Sequence, residues 1–164
     1  MTNFFLELLD SREMRYNRQK KLIEKFNKPI ISFMLNIPGE IKRTEDYVKF
    51  HKIGIDLIKE TLGEKIISEY YFDKVTGMYY LAAIDMDAKD LKREMISLED
   101  SVMGRLFDID IFDENFNQIT RRSLNLEPRK CILCDNIARV CIKERNHTYE
   151  ELVYETNRII NLYI

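Results

Sequence analysis

The feature that most restricts the fold of this chain is residues 104–111, GRLFDIDI, where apolar and acidic residues alternate. A period of two is typical of a half-buried β-strand, and it places Asp108 and Asp110 on the same face. Two adjacent carboxylates repel each other unless a cation lies between them. Mg²⁺ suits such a pair, because one or two carboxylates hold it while substrate phosphates complete its coordination. The pattern predicts a Mg²⁺ site at these aspartates, with an ordinary amphipathic strand as the alternative.

Two aspartates separated by one apolar residue are also the first active-site motif of many nucleotidyltransferases. In those enzymes the metal bridges the carboxylates and the phosphoryl group under attack. We therefore expect Asp108 and Asp110 to be catalytic residues as well as metal ligands. The pattern leaves a nucleotidyltransferase-like fold open.

The composition is typical of one globular domain. Hydrophobic residues make up 45% and charged residues 33% of the 164 residues. No apolar run approaches the roughly 18 to 20 residues that span a membrane. Three cysteines, an odd number, argue against a secreted disulfide framework, and a net charge of −2 indicates no strong attraction to nucleic acid. We expect one cytoplasmic domain over residues 1–164, without a membrane or nucleic-acid partner.

Hydrophobic periodicity predicts an α+β fold, in which helices flank one mixed or antiparallel sheet. Helices are expected over residues 11–27 and 44–62, after Asp87, and after Thr148. Besides the strand with the aspartates, strands are expected over residues 30–36, 65–72, 78–84 and 118–124. His51 lies on the apolar stripe of the second helix, which indicates a packed core histidine rather than a ligand or base.

The three cysteines and His147 raise the question of zinc, because Cys131 and Cys134 have the Cys-x-x-Cys spacing of zinc ligands. Neither Gly nor Pro interrupts residues 131–146, so we expect a continuous helix there. On such a helix Cys131 and Cys141 lie about 15 Å apart, at ~1.5 Å per residue. This spacing argues against zinc, unless the segment folds back, and predicts thiols that pack against the core.

Several segments, taken in order, resemble the apo-citrate lyase phosphoribosyl-dephospho-CoA transferases. The most specific are the GRLFDIDI segment and the later Cys-x-x-Cys. The matching segments are residues 11–19, 36–42, 104–111, 121–124, 128–134 and 138–147. The resemblance implies an enzyme that joins triphosphoribosyl-dephospho-CoA to a serine of the citrate lyase acyl-carrier subunit and releases pyrophosphate. A nucleotidyltransferase with another acceptor and a non-catalytic carrier-binding module are the alternatives.

A triphosphate substrate needs basic groups beside the metal. Arg105, next to the acidic strand, is expected to contact the β- or γ-phosphate as a catalytic residue, or to pair with an aspartate at rest. The other candidate substrate-binding residues are Arg12, Arg15, Arg18, Gly39, Lys42, Gly104, Arg121, Arg122 and Arg129. For each of them, a solvated basic face or an ordinary turn is the structural alternative.

Overall fold

A five-stranded antiparallel sheet forms the centre of the computed structural model, which describes residues 3–164. Its strands are β1 (Ile30–Leu35), β2 (Ile66–Lys74), β3 (Gly77–Ile84), β4 (Phe107–Phe112) and β5 (Gln118–Ile119). They lie in the order β2-β3-β1-β4-β5, and every neighbouring pair is antiparallel. The expected α+β fold with an antiparallel sheet is confirmed.

The described residues also form five α-helices: α1 (Asn3–Phe26), α2 (Glu45–Leu62), α3 (Ala88–Glu99), α4 (Ala138–Glu144) and α5 (Tyr149–Asn161). Three of them begin as the sequence predicts, because their N-cap side chains accept hydrogen bonds from the first turn. Thr44 caps α2, Asp87 caps α3, and Thr148 opens α5 with a complete capping box. None of the helices within residues 3–164 is long and apolar enough to cross a membrane.

The two faces of the sheet differ, and this difference positions the aspartates. Phe107, Ile109 and Ile111 point into the main hydrophobic core, which includes buried residues of α2, α3 and α5. Successive side chains of a strand point to opposite faces, so Asp108 and Asp110 lie on the other face. Helix α1 packs on that second face, where Gln19 donates a hydrogen bond to Ser32 of β1 at 2.9 Å.

Two predicted element boundaries are wrong. Helix α1 begins at Asn3, so Ser11 lies inside it. Residues 6–9, LELL, are good helix formers, no Gly or Pro precedes Ser11 in the helix, and one internal serine costs little. Strand β5 has two residues rather than the seven of 118–124, and a 3₁₀ turn follows over Arg122–Leu124. There Thr120 and Ser123 exchange side-chain-to-backbone hydrogen bonds of 3.1 Å, which compete with a sheet ladder.

The predicted continuous helix over residues 131–146 is also wrong. Helix α4 covers only Ala138–Glu144. Before it the chain folds back, since Lys130 forms an antiparallel bridge with Ile137 and the Cys131 N–H donates to the Asn136 carbonyl at 2.7 Å. Helix propensity is a weak constraint in a short segment, and here this local bridge, together with the packing of Ile132 against the main core, replaces the helix.

His51 is a packed core residue, as predicted. The ring is fully buried, stacks on Phe33 with centroids 4.6 Å apart, and places Nε2 3.3 Å from the Phe33 carbonyl. Its Nδ1 has no hydrogen-bond partner among the described residues. Burial lowers the pKa of His51 from 6.5 to about 4, against the opposing effect of the Phe33 carbonyl. The imidazole is therefore neutral at pH 7.

This burial predicts a pH-dependent loss of stability. Between pH 6.5 and about 4 the unfolded chain binds a proton at His51 that the folded chain does not bind. The free energy of unfolding should therefore fall as the pH falls through this window, by roughly 3 kcal/mol from this residue. Urea unfolding at pH 7 and pH 4 should show a smaller loss for His51→Gln than for the original chain. Equal losses in both proteins would contradict the assignment.

Candidate active site

Asp108 and Asp110 face two adjoining cavities, of which Asp108 lines both and Asp110 lines one. Asp108 lines a cavity of about 490 Å³ beside α1 and a second one of about 690 Å³ beside β5, and Asp110 lines the second. In the sheet they pair with Met34 and Ser32 of β1. Asp108 is exposed and Asp110 is partly exposed, so a ligand can reach both carboxylates. We call the first cavity the α1 groove and the second the β5 cavity.

The carboxylates destabilise each other's charge. Desolvation by the surrounding walls, followed by the charge of Asp108, raises the pKa of Asp110 to about 6. Desolvation also raises the pKa of Asp108, although solvent reaches this residue, and Arg129 is the strongest opposing charge. A pair of accessible oxygen donors with raised pKa values is a favourable place for a hard divalent cation.

The outer edge of β4 is held by side chains rather than by a full neighbouring strand. Strand β5 pairs only with Ile111 and Phe112. At Ile109, between the two aspartates, the N–H donates to Glu99 Oε1 at 3.2 Å and the carbonyl accepts from Lys92 Nζ at 2.8 Å. These bonds satisfy buried backbone groups and fix the strand that carries the acidic pair.

Lys92 and Glu99 belong to a buried ionic network that our sequence analysis missed. Their charged atoms lie 3.6 Å apart, and Arg121 contacts Glu99 at 3.2 Å and Asp100 at 2.7 Å. Lys92 and Glu99 lie on the buried face of α3, together with Met95. The available signal was therefore two opposite charges at positions i and i+7 on an apolar helical stripe.

The α1 groove contains three of the predicted basic residues. Arg12, Arg15 and Lys42 line it together with Asp108. Burial lowers the pKa of Arg15, against the charges of Asp110 and Asp108, and burial with the charge of Arg12 lowers the pKa of Lys42. Lys42 Nζ donates to the Ile37 carbonyl at 2.6 Å, and Arg15 contacts the Met34 sulfur. Crowded, partly desolvated cations of this kind favour an anionic ligand.

Arg18, on the same helix, lies elsewhere. Its guanidinium donates to the Tyr79 hydroxyl at 2.6 Å and sits 4.2 Å from the centre of the Tyr70 ring. Through these contacts Arg18 packs against tyrosine side chains of the sheet. Its predicted role in substrate binding stays a prediction.

The β5 cavity is lined by three more of the candidate substrate-binding residues: Arg121, Arg122 and Arg129. Arg129 donates to three backbone carbonyls: Phe107 at 2.7 Å, and Gly104 and Arg105 at 3.1 Å. Arg121 is occupied by the ionic network, whereas the Arg122 side chain is exposed at the cavity. Two of these arginines therefore support the walls of the cavity.

Arg105 and Gly39 line a third cavity, of about 500 Å³, together with Arg129 and residues of α4 and α5. Within the part of the chain that the structure describes, neither aspartate lines this cavity. Gly104 is buried, and a Cβ there would lie 1.8 Å from the Leu98 carbonyl oxygen, so close packing on α3 explains the glycine. The substrate contacts predicted for Arg105, Gly39 and Gly104 stay predictions.

Comparison with known proteins agrees with the resemblance in the sequence. A family model described as apo-citrate lyase phosphoribosyl-dephospho-CoA transferase matches residues 5–163. This chain belongs to that family. An Escherichia coli O1:K1 transferase of this family is 31% identical over 159 residues, which cover 94% of this chain and 87% of the relative. A Shigella boydii serotype 18 transferase has the same identity and coverage.

A longer relative is also similar. The protein named CitXG from Leuconostoc mesenteroides subsp. cremoris is 35% identical over 161 residues, which are 95% of this chain and 34% of that protein. The chain therefore spans about a third of the Leuconostoc protein and most of the transferases from Escherichia and Shigella.

Proposed function

We propose that this chain transfers phosphoribosyl-dephospho-CoA to apo-citrate lyase, as a metal-dependent enzyme with nucleotidyltransferase chemistry. The observation that carries the proposal is the position of Asp108, in a chain of this family, at the junction of a basic groove and a second, larger cavity. Such a junction lets a phosphorylated donor and an acceptor approach the same carboxylate from two sides.

The proposed reaction forms one phosphodiester and breaks one phosphoanhydride. The hydroxyl oxygen of a serine in the acyl-carrier subunit attacks the innermost phosphorus of triphosphoribosyl-dephospho-CoA. The bond from that phosphorus to the next bridging oxygen breaks, and its electron pair leaves with pyrophosphate. The serine proton is released, so the products are the modified carrier, pyrophosphate and one proton.

The residues of the α1 groove bind the triphosphate in this scheme. Arg12, Arg15 and Lys42 supply three positive charges on one side of Asp108. Arginine is suited to phosphate because its planar fork makes paired hydrogen bonds to two oxygens. At the other side, the exposed Arg122 suits the acidic surface of a carrier protein.

Asp108 and Asp110 are the residues that would hold Mg²⁺. Their donor set fits this ion, since both offer carboxylate oxygens, both are accessible, and desolvation together with the like charge of Asp108 raises the pKa of Asp110. Gln118 Nε2 donates to Asp110 Oδ1 at 2.7 Å and so orients that carboxylate. When bound, Mg²⁺ supplies positive charge that stabilises the charge developing on the phosphoryl oxygens.

One experiment separates the proposed function from its alternatives. The purified chain is mixed with apo-acyl-carrier subunit, triphosphoribosyl-dephospho-CoA and Mg²⁺, and the carrier is weighed by intact-protein mass spectrometry. We expect the carrier to gain the prosthetic group and pyrophosphate to appear in equal amount, but not when Mg²⁺ is omitted. An unmodified carrier that still binds would indicate a non-catalytic module. Modification only with another nucleotide or acceptor would indicate a different nucleotidyltransferase.

Arg15 should be important for this reaction. Arg15→Ala is expected to lower turnover by a factor on the order of 10², because one charge beside the triphosphate is lost. Arg15→Lys keeps the charge without the fork and should retain part of the activity. Carrier modification rates measure the effect, and thermal melts show that the variants are folded. Normal turnover in Arg15→Ala would remove the α1 groove from the proposed phosphate site.

Arg105 provides a separate test, since it lines a different cavity from the aspartates. A phosphate contact predicts that Arg105→Lys stays partly active and that Arg105→Ala loses a factor on the order of 10² or more without melting earlier. Parallel melting and carrier-modification assays give the answer. An Arg105→Ala variant that melts earlier but turns over normally would assign Arg105 to the fold.

A further inference from the structure

We infer that this chain holds one structural Zn²⁺ ion, bound by four side chains: Cys131, Cys134, Cys141 and His147. We call these residues the Cys₃His cluster. Their sulfur and nitrogen donor atoms all lie within 4.8 Å of one another. Three thiolates and one imidazole form a common tetrahedral ligand set for structural zinc.

The separations within the Cys₃His cluster fit a shared ion. Cys134 Sγ lies 3.5 Å from Cys141 Sγ and 3.4 Å from His147 Nε2. A tetrahedral ion with Zn–S of about 2.3 Å and Zn–N of about 2.0 Å requires about 3.8 Å between sulfurs and about 3.5 Å between sulfur and nitrogen. These two distances come within a few tenths of an ångström of the required values, and the other donor pairs lie within 4.8 Å, so side-chain rotations can bring all four donors to one ion.

The local backbone also suits metal binding. The turn that follows Cys131 brings the Leu133 N–H to 3.5 Å from Cys131 Sγ, and Asn146 Nδ2 lies 3.7 Å from Cys141 Sγ. N–H groups directed at cysteine sulfurs stabilise thiolates, the form in which cysteine binds a metal. The fold-back between Lys130 and Ile137, which replaces the predicted helix, brings Cys131 and Cys134 close to Cys141.

A metal would also explain how this region holds its shape. In the fully described stretch between Ile111 and Thr156, only Cys131 and Cys141 are buried. Helix α4 has seven residues, and Cys141 is its only buried one. A segment with so little buried apolar surface needs another source of stability, and structural zinc supplies one directly.

The proposed ion has a structural role. With four protein ligands it has no open position for substrate. Cys131, Cys141 and His147 line the same cavity as Arg105 and Arg129, and Arg129 donates to the Phe107 carbonyl beside Asp108. The ion would therefore hold the wall that connects the Cys₃His cluster to β4.

The first test measures the metal in the full-length protein, independently of any activity. Elemental analysis of protein purified without chelators should find about one zinc per chain. Replacement with Co²⁺ should produce the intense thiolate-to-cobalt and ligand-field absorption bands of a tetrahedral sulfur-ligated site. A protein without stoichiometric zinc and without these bands would overturn the proposal, as would iron in place of zinc or a disulfide between two of the cysteines.

Variants assign the ligands. Cys134→Ser and His147→Ala should each lose most of the zinc, whereas His147→Cys should keep it, because four cysteines also form a structural zinc site. Asp135→Asn is the matched control, since Asp135 follows Cys134, is exposed, and lies outside the Cys₃His cluster. Full zinc content in Cys134→Ser and His147→Ala would overturn the assignment of these ligands.

Discussion

Asp108→Asn and Asp110→Asn are each expected to lose transferase activity by a factor on the order of 10² or more. An amide binds Mg²⁺ weakly, whereas two carboxylates on one face of β4 provide the negative charge that the ion needs. Removing one charge also relieves the repulsion that raises the pKa of Asp110. The variants should therefore melt at the same temperature as the original chain or higher.

The control for these variants is Glu114→Gln. Glu114 is an exposed acidic residue shortly after β4, and it does not line the α1 groove or the β5 cavity. The Glu114→Gln variant should modify the carrier at the normal rate. It should also bind Mn²⁺ normally, when Mn²⁺ is used in place of Mg²⁺ as a spectroscopic probe. Normal turnover in Asp108→Asn or Asp110→Asn would show that the carboxylates are not the metal site of the reaction.

Lys92→Met is expected to lower the free energy of unfolding by about 3 to 5 kcal/mol. Lys92 is buried, and the change leaves Glu99 with Arg121 as its one cationic partner among residues 3–164. It also leaves the Ile109 carbonyl without its donor at the centre of β4. Urea unfolding followed by circular dichroism measures the loss.

Arg93→Met is the matched control on the same helix. Arg93 pairs with Asp90 at 2.8 Å, and both side chains are more than half exposed. Exposed pairs contribute about 0 to 1 kcal/mol, so this variant should be nearly as stable as the original chain. Adding Glu99→Gln to Lys92→Met should recover part of the loss, because the buried charge is removed with its partner. Equal stability of Lys92→Met and Arg93→Met would contradict the role of the network.

Most of the secondary structure could be predicted from local patterns. The alternation in residues 104–111 predicted strand β4 and the common face of Asp108 and Asp110, because side chains alternate along any strand. The capping residues Thr44, Asp87 and Thr148 predicted three helix starts for an equally local reason. Local signals were insufficient at Ser11, where a helix start and a helix interior differ little in free energy. They were also insufficient after Ile119, where a longer strand and a 3₁₀ turn differ little in free energy.

The candidate site could be predicted only in part. Arg12, Arg15 and Lys42 do converge beside Asp108, but Arg18 packs on tyrosines and Arg105 lines another cavity. Charge and spacing say that a residue is basic, not which surface its side chain reaches. Likewise, Lys92 and Glu99 are ordinary helix-forming residues until the edge of β4 is placed against them.

What the sequence by itself determined is the set of elements and the face of β4 that carries the two aspartates, since both depend on backbone periodicities of 2.0 and 3.6 residues. Only the tertiary structure decided which side chains meet, and the Cys₃His cluster is the clearest case. A continuous helix would hold Cys131 and Cys141 about 15 Å apart at ~1.5 Å per residue. The fold-back at Lys130 and Ile137 brings all four donor atoms within 4.8 Å of one another, because this bridge and the packing of Ile132 against the main core prevail over local helix propensity.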